Sequence, residues 1–290
     1  MSEAPGSVKR WVLAARPRTL PAAIVPVAIG ATLARPLSIE WVNTVLCAVV
    51  ALALQIGVNY ANDYSDGIKG TDEVRVGPFR LTASKLVSPK AVRNGAFAWF
   101  FVAALAGLEL SARTSWWFVL VGLTAIIAAW FYTGGPKPYG YMGLGEVFVL
   151  IYFGFVATVG TAYAQHLHIA PKAWWFGLAA GAMACALLEA NNMRDITGDQ
   201  ESGKKTLAAR LGRDKAKWLY LLCMAMIFDG LALGGQWFTA VLALVVYYPA
   251  MRLAFSNKQG RELLPMLMIS ARAQLIVGFV TTVTFFTTLR

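Results

Sequence analysis

The chain has 290 residues, 58% of them hydrophobic and 14% charged, with a mean hydropathy of +0.56. A water-soluble domain carries roughly 25% charged residues, so a soluble protein is excluded. Continuous apolar runs in place of strict alternation exclude a β-barrel. The formal charge of +11 fits a lipid bilayer rather than a nucleic acid as partner, because the cations gather in particular loops.

Residues 1–19 are basic, with Trp11 as a candidate interface anchor. The first predicted span is 20–34, containing Pro21, Pro26 and Gly30, and the second is 41–61. A polar loop, 62–93, follows; Gly67, Gly70, Gly77 and Pro78 interrupt it, and its mixed charges and apolar residues suit an ordered lid. Spans three and four are 94–111 and 115–132. A Gly- and Pro-rich loop then leads to spans five, 146–165, and six, 172–191. A second polar loop covers 192–216, and the last three spans are 217–234, 236–254 and 269–288. Cys47, Cys185 and Cys223 all fall in apolar segments and show neither metal spacing nor a disulfide framework.

Nine spans put the termini on opposite sides. With the N-terminus in the cytoplasm, the outer side receives Arg35, Arg113, Lys172 and Arg290, and every other one of the 26 Lys and Arg lies on the cytoplasmic side. The expected fold is therefore all-α: a multi-pass cell-membrane protein of about nine transmembrane helices in one bundle. Residues 1–290 form a single transmembrane domain, with the N-terminus and both Asp-rich loops cytoplasmic.

Those two loops carry the chemistry. Asn59, Asn62, Asp63 and Asp66 stand at i, i+3, i+4 and i+7, which is one face of a continuing helix, and Asp72 follows. Such groups at the end of an apolar helix are costly unless a cation binds them. Asn191, Asn192, Asp195 and Asp199 repeat the arrangement at the end of the sixth span. Oxygen donors with no nearby His or Cys suit Mg²⁺, which bridges carboxylates to phosphate oxygens. Lys69, Arg75, Arg80, Arg194 and Lys204 supply complementary cations. The combination points to a diphosphate with a hydrophobic tail, and a polyprenyl diphosphate fits. The metal-ligand candidates are Asn62, Asp63, Asp66, Asp72, Asn192, Asp195 and Asp199; for Asp63 an ion pair with a loop arginine is the alternative.

Asn62-Asp63-Tyr64-Ser65-Asp66 with Asp72, and Asp195 to Asp199 followed by Gly203-Lys204-Lys205-Thr206-Leu207, resemble the paired motifs of the UbiA superfamily of intramembrane aromatic prenyltransferases. The six-residue step from Asp66 to Asp72 departs from the four-residue step of many members. That step, Tyr132-Thr133-Gly134-Gly135-Pro136 and Asn191-Asn192-Met193-Arg194-Asp195 are similar to the branch acting on 1,4-dihydroxy-2-naphthoate in menaquinone synthesis. The resemblance implies Mg²⁺-dependent ionisation of a polyprenyl diphosphate, attack by the dihydroxynaphthoate ring, and loss of carbon dioxide. It implies catalytic roles for Asp66, Asp195, Tyr132 and Lys69. Diphosphate and acceptor would be held by Asn59, Arg75, Arg80, Lys137, Tyr139, Glu146, Asn191, Arg194 and Lys204. Tyr60, Tyr64, Tyr132, Tyr139, Tyr141 and Phe148 are candidates to shield a carbocation, or are packing and interface residues. Lys137 suits an acceptor carboxylate or snorkels to headgroups. Glu146 and Glu189 suit an acceptor hydroxyl or acid/base role, or structural hydrogen bonds. The rival readings are another aromatic acceptor, hydroxybenzoate or homogentisate, and a transporter.

Overall fold

The chain enters through two prolines. Helix α1, Ser7–Ala14, ends before Arg16, whose φ of 53° is left-handed, and a single 3₁₀ turn, Pro17–Thr19, leads into α2, Pro21–Leu33. A residue before proline avoids the α-region, as Arg16 does before Pro17, and Pro21 opens α2; the stretch Ser7–Thr19 meets α2 at a bend of 54°. The structure, a computed structural model, describes residues 6–33, 39–70 and 80–288, with the side chains described as far as 285.

Two long helices follow: α3, Trp41–Ile68, and α4, Pro89–Arg113, whose start is capped by the Ser88 side chain accepting from the Ala91 amide. Helix α5, Trp117–Phe131, is short, and α6, Gly145–His166, contains a π-helical stretch at Leu150–Val156. Then come α7, Lys172–Glu201; a short α8, Leu207–Leu211; α9, Arg213–Leu233; α10, Trp237–Ala254; and α11, Leu264–Thr288. No strand occurs among the described residues.

Among the described residues seven helices are long and apolar enough to cross a membrane, and the bent α1–α2 pair brings the number to eight. The remaining expected span, the fourth at 115–132, corresponds to α5, whose 15 residues fall short of the ~20 that a straight crossing needs. The other departure lies at the two acidic stretches. The sequence reading ends spans two and six at residues 61 and 191, but α3 runs on to Ile68 and α7 to Glu201. At ~1.5 Å per residue, α3 with 28 residues and α7 with 30 exceed a ~30 Å hydrocarbon layer. Their last turns therefore carry the Asp and Asn residues on rigid helical extensions rather than on loops.

Helix α7 is the centre of the bundle. Of its most apolar window 78% is buried, against 28% for α3 and for α4. It packs on α9 and on the middle of α6, while α3 packs on α4, and α11 on α2 and α10. Small residues let the backbones approach: a Cβ on Gly154 of α6 would lie 2.6 Å from the Gly177 carbonyl oxygen, and one on Gly181 would lie 2.9 Å from the Gly154 Cα. The π-helical stretch of α6 sits at this contact. Outward faces present Phe101, Leu123, Phe238 and Val245. Exposed Trp41, Trp116, Trp117, Trp174 and Trp237 stand at the beginnings of α3, α5, α7 and α10, an aromatic belt on the face opposite the acidic stretches.

Candidate active site

A cavity of about 850 Å³ lies among α2, α3, α4, α5, α6 and α7. Its lower part is apolar, walled by Val27, Cys47, Ala51, Leu54, Leu110 and Phe118. Its mouth is polar and lies where three segments meet: the end of α3, the loop 132–145, and the end of α7 with the turn into α8. They are tied together at Asp66, which is 2% exposed. Tyr141 donates its hydroxyl to Asp66 Oδ1 at 2.5 Å, Lys204 Nζ lies 3.0 Å from Oδ2, and Arg80 Nη2 lies 3.8 Å from it. The Lys205 amide donates to the Tyr141 carbonyl at 3.1 Å, which clamps the second motif onto the 132–145 loop.

The cavity gathers most, but not all, of the residues that the sequence singled out. Asn59, Asn62, Asp66, Arg80, Tyr132, Tyr139, Asn191, Asn192, Arg194, Asp199 and Lys204 line it. Asn62 Oδ1 accepts from Thr133 Oγ1 at 2.7 Å, Asp199 Oδ2 accepts from Thr206 Oγ1 at 3.1 Å, and Asn192 donates to Glu146 Oε1 at 2.9 Å. Asn59 donates to the Ala15 carbonyl and to Thr19 Oγ1, so it fixes the α1–α2 bend over the mouth.

Five of the expected residues stand back from the lining. Asp63 is buried with Oδ2 and Oδ1 accepting from the Leu81 and Thr82 amides at 2.7 and 3.0 Å; it holds the segment beside Arg80 in place of the arginine pairing considered from sequence. Asp195 is gripped by its neighbour, Arg194 Nε and Nη2 reaching Oδ1 and Oδ2 at 2.7 and 2.6 Å. Glu146 lies behind Asn192. Lys137 is exposed. Lys69 donates to the Thr133 carbonyl at 2.8 Å and lies 4.8 Å from the centre of the Tyr141 ring. Burial lowers the Lys69 pKa; the Asp66 charge opposes that shift and Lys204 adds to it. Asp72 and Arg75 lie outside the described residues, as does most of the expected lid.

Aromatic rings form one wall. Tyr132 meets Tyr139 edge to face at 5.4 Å, Tyr139 stacks on Phe148 at 4.0 Å, and Phe148 stacks on Tyr152 at 6.3 Å. Gly140 makes this possible: a Cβ there would stand 2.6 Å from the Tyr132 carbonyl oxygen, which accepts from the Gly140 amide. Burial pushes the Tyr132 phenol well above its ordinary range, with Glu146, Tyr139, Asp199 and Asp66 adding to the shift; it stays neutral. Tyr60 and Tyr64 do not reach the cavity. Tyr60 donates to the Trp11 carbonyl, and Tyr64 stacks on Trp130.

Sequence reasoning passed over Thr133 and Thr206, which orient the Asn62 and Asp199 oxygens. Both stand inside stretches already marked as motifs, so their signal was present. It also passed over Arg16 and Arg18 as site residues. Among the described residues the charged side chains lining the cavity are Arg16, Arg18, Arg80, Arg194 and Lys204 against Asp66 and Asp199. A mouth built on acidic motifs is thus cationic in sum and suits a polyanion. The converging carboxamide and carboxylate oxygens suit a hard divalent cation that completes its shell with phosphate oxygens. No three acidic, His or Cys side chains among the described residues converge to hold a metal by themselves.

The model of the UbiA prenyltransferase family matches residues 23–287. The chain is 46% identical over 281 residues to a Mycobacterium tuberculosis protein named 1,4-dihydroxy-2-naphthoate octaprenyltransferase, covering 93% of this chain and 94% of that one. A Mycobacterium leprae protein of the same name is 43% identical over 279 residues, with the same coverage. Among solved structures, a UbiA homolog from Archaeoglobus fulgidus bound to GPP and Mg²⁺ superposes with a TM-score of 0.70 at 15% identity, covering 96% of this chain and 98% of that one.

Proposed function

We infer the reaction from one premise: this chain belongs to the UbiA prenyltransferase family. It transfers the prenyl group of a polyprenyl diphosphate to 1,4-dihydroxy-2-naphthoate in menaquinone synthesis, releasing diphosphate and carbon dioxide. The acceptor follows the names of the mycobacterial relatives. The observation that carries the reading is the cavity itself, cationic in sum at a mouth centred on Asp66 and apolar below.

The diphosphate lies at the mouth, where Lys204, Arg80, Arg16 and Arg194 face it and the tail enters the apolar part. Lys204 and Arg80, which lie beside Asp66, also line the cavity and suit the phosphate oxygens. Asn62, Asp66, Asn192 and Asp199 would hold Mg²⁺, which would supply positive charge against the leaving diphosphate. When the allylic carbon–oxygen bond breaks, its electron pair leaves with the diphosphate and the isoprenoid carbon becomes cationic. The Tyr132, Tyr139 and Phe148 rings stabilise that carbon by cation–π attraction and keep water from it. The ring carbon bearing the carboxylate forms the new carbon–carbon bond. Loss of carbon dioxide returns its bonding pair to the ring and gives demethylmenaquinone in its hydroquinone form. The mouth faces the cytoplasm, where the positive-inside bias puts it.

The test is turnover by the purified protein in lipid nanodiscs with octaprenyl diphosphate, dihydroxynaphthoate and Mg²⁺, read by mass spectrometry. Demethylmenaquinone is the expected product, lost on chelation and restored by Mg²⁺. Product from hydroxybenzoate or homogentisate, and none from dihydroxynaphthoate, overturns the acceptor assignment.

A further inference from the structure

The reaction uses three rings of the aromatic wall, Tyr132, Tyr139 and Phe148, and leaves a fourth. Tyr152 lies one turn farther along α6 than Phe148, away from the mouth, and its ring stacks on that of Phe148 at 6.3 Å and 24°. It lines the cavity, and the local helix explains why. Phe148, Tyr152, Val156 and Gly160 repeat every four residues, and all four line the cavity. A four-residue step overshoots an α-helical turn by about 40°, so several such steps would carry the row off the wall. The wider π-helical turns of Leu150–Val156 take up that drift. On the opposite side of the same stretch the helix is held close: a Cβ on Gly154 would lie 2.6 Å from the Gly177 carbonyl oxygen and 2.8 Å from the Gly181 Cα.

The ring carries a hydroxyl into an apolar part of the cavity. Other polar groups of this lining are spent on the protein itself. Tyr139 donates its hydroxyl to the Ala128 carbonyl at 2.9 Å, Thr161 donates to the Ala157 carbonyl at 2.6 Å, and Gln55 donates to Thr19 Oγ1 at 3.1 Å. The Tyr152 hydroxyl makes no hydrogen bond among the described residues, and beside it on the α6 lining stand Phe148, Val149, Phe153 and Val156. An isoprenoid tail offers a hydroxyl no partner. An acceptor with ring hydroxyls does, because a phenol both donates and accepts.

We propose, resting on the acceptor assignment above, that Tyr152 binds the 4-hydroxyl of dihydroxynaphthoate and sets the preference for a dihydroxylated ring. The acceptor's own shape gives the register. The reacting carbon is level with Phe148, one of the rings that shield the cation, and its carboxylate turns to the cations of the mouth. The 1-hydroxyl is then level with the reacting carbon and the 4-hydroxyl lies about 3 Å deeper, so a hydrogen bond of about 2.8 Å from it ends about 6 Å in. The helical turn from Phe148 to Tyr152 is about 5.4 Å. An acceptor without that hydroxyl leaves the phenol of Tyr152 unpaired against hydrocarbon, which is how a site built to bond a hydroxyl rejects the analogue that lacks it.

The compound 1-hydroxy-2-naphthoate keeps the carboxylate and lacks the 4-hydroxyl. In nanodiscs with octaprenyl diphosphate and Mg²⁺, Tyr152→Phe is expected to lower kcat/KM for dihydroxynaphthoate about fivefold or more, while the inhibition constant of 1-hydroxy-2-naphthoate stays within about twofold. The KM for octaprenyl diphosphate is expected to stay unchanged, since the ring remains in the wall. An unchanged kcat/KM for dihydroxynaphthoate overturns the proposal. So does an equal loss for the two ring compounds, which would make Tyr152 a packing residue. The native protein separates this from the acceptor assignment. Turnover of hydroxybenzoate or homogentisate, and none of dihydroxynaphthoate, fails the assignment itself. Native turnover of dihydroxynaphthoate with an equal response of the two ring compounds to Tyr152→Phe fails the role of Tyr152 alone.

Discussion

Replacing Asp66 by Asn leaves Tyr141, Lys204 and Arg80 around a neutral amide, one of whose two terminal atoms is a donor. The carboxylate accepts from one of these groups and pairs with two, and it also lines the cavity, so the variant loses both preorganisation and charge. Activity is expected to fall by about 10²–10³-fold, the scale seen when one electrostatic element is removed from a site. An Asp66→Asn enzyme with native turnover removes Asp66 from the mechanism. Tyr132 makes a different demand, because the proposed mechanism uses only its ring. Its phenol pKa is raised by burial, and an acid with a raised pKa keeps its proton below that raised value. It therefore does not titrate across neutral pH. Tyr132→Phe should keep activity within about threefold with a superimposable pH–rate profile, while Tyr132→Ala loses about 10–30-fold, the size of a desolvated cation–π contact. A new pH dependence in Tyr132→Phe would show that the hydroxyl takes part. The residue types and their spacing marked Asp66, Asn62, Asp199 and Lys204 as candidates, and all four line the cavity. Spacing could not tell a carboxylate that lines the cavity from one that stands back from it. Asp63 and Asp195 fill the same motif positions in the pattern, yet one is turned to backbone amides and the other to an adjacent guanidinium.

At the scale of elements, Asp63 joins the end of α3 to the chain that returns at Arg80. Its two oxygens satisfy the Leu81 and Thr82 amides in a buried place, where an unmet amide costs about 1–3 kcal/mol. Asp63→Ala should lower Tm in detergent and release Arg80 from its post beside Asp66. The kinetic sign is a KM for the prenyl diphosphate raised several-fold with a smaller change in kcat, because the diphosphate-facing cation is displaced while the aromatic wall stays. A lowered kcat at constant KM would instead assign Asp63 to the chemical step. The helical nature of these stretches was legible in the i, i+3, i+4, i+7 spacing, since polar side chains repeat on one face. Their ends were not, because hydropathy reports where the apolar run stops, at about 61 and 191, and not where hydrogen bonding stops, at Ile68 and Glu201. The break between α1 and α2 was legible as a pair of prolines, but its outcome, Arg16 and Arg18 brought to the cavity, depends on a tertiary bend that no local pattern records.

For the whole molecule the decisive asymmetry is between its two faces. Asp66, Arg80, the 132–145 loop, Asp199 and Lys204 are bonded to one another on one face. Exposed Trp41, Trp116, Trp117, Trp174 and Trp237 mark the other. Charge makes the same division, with Arg113 and Lys172 the described cations near the tryptophan face. Because the K/R bias sets orientation, it predicts that the cavity-mouth face is cytoplasmic. Helix α7 tests this in one element. It runs from Lys172 to Glu201, about 45 Å, so its two ends lie on opposite sides of a ~30 Å hydrocarbon layer. Both end residues are exposed and outside the cavity lining, so Lys172→Cys and Glu201→Cys should fold and remain active. In intact cells a membrane-impermeant maleimide is expected to label the first at once and the second only after permeabilisation. The reverse order would place the diphosphate cleft on the outer surface and detach the charge asymmetry from the orientation. Labelling of both in intact cells would mean that α7 does not cross.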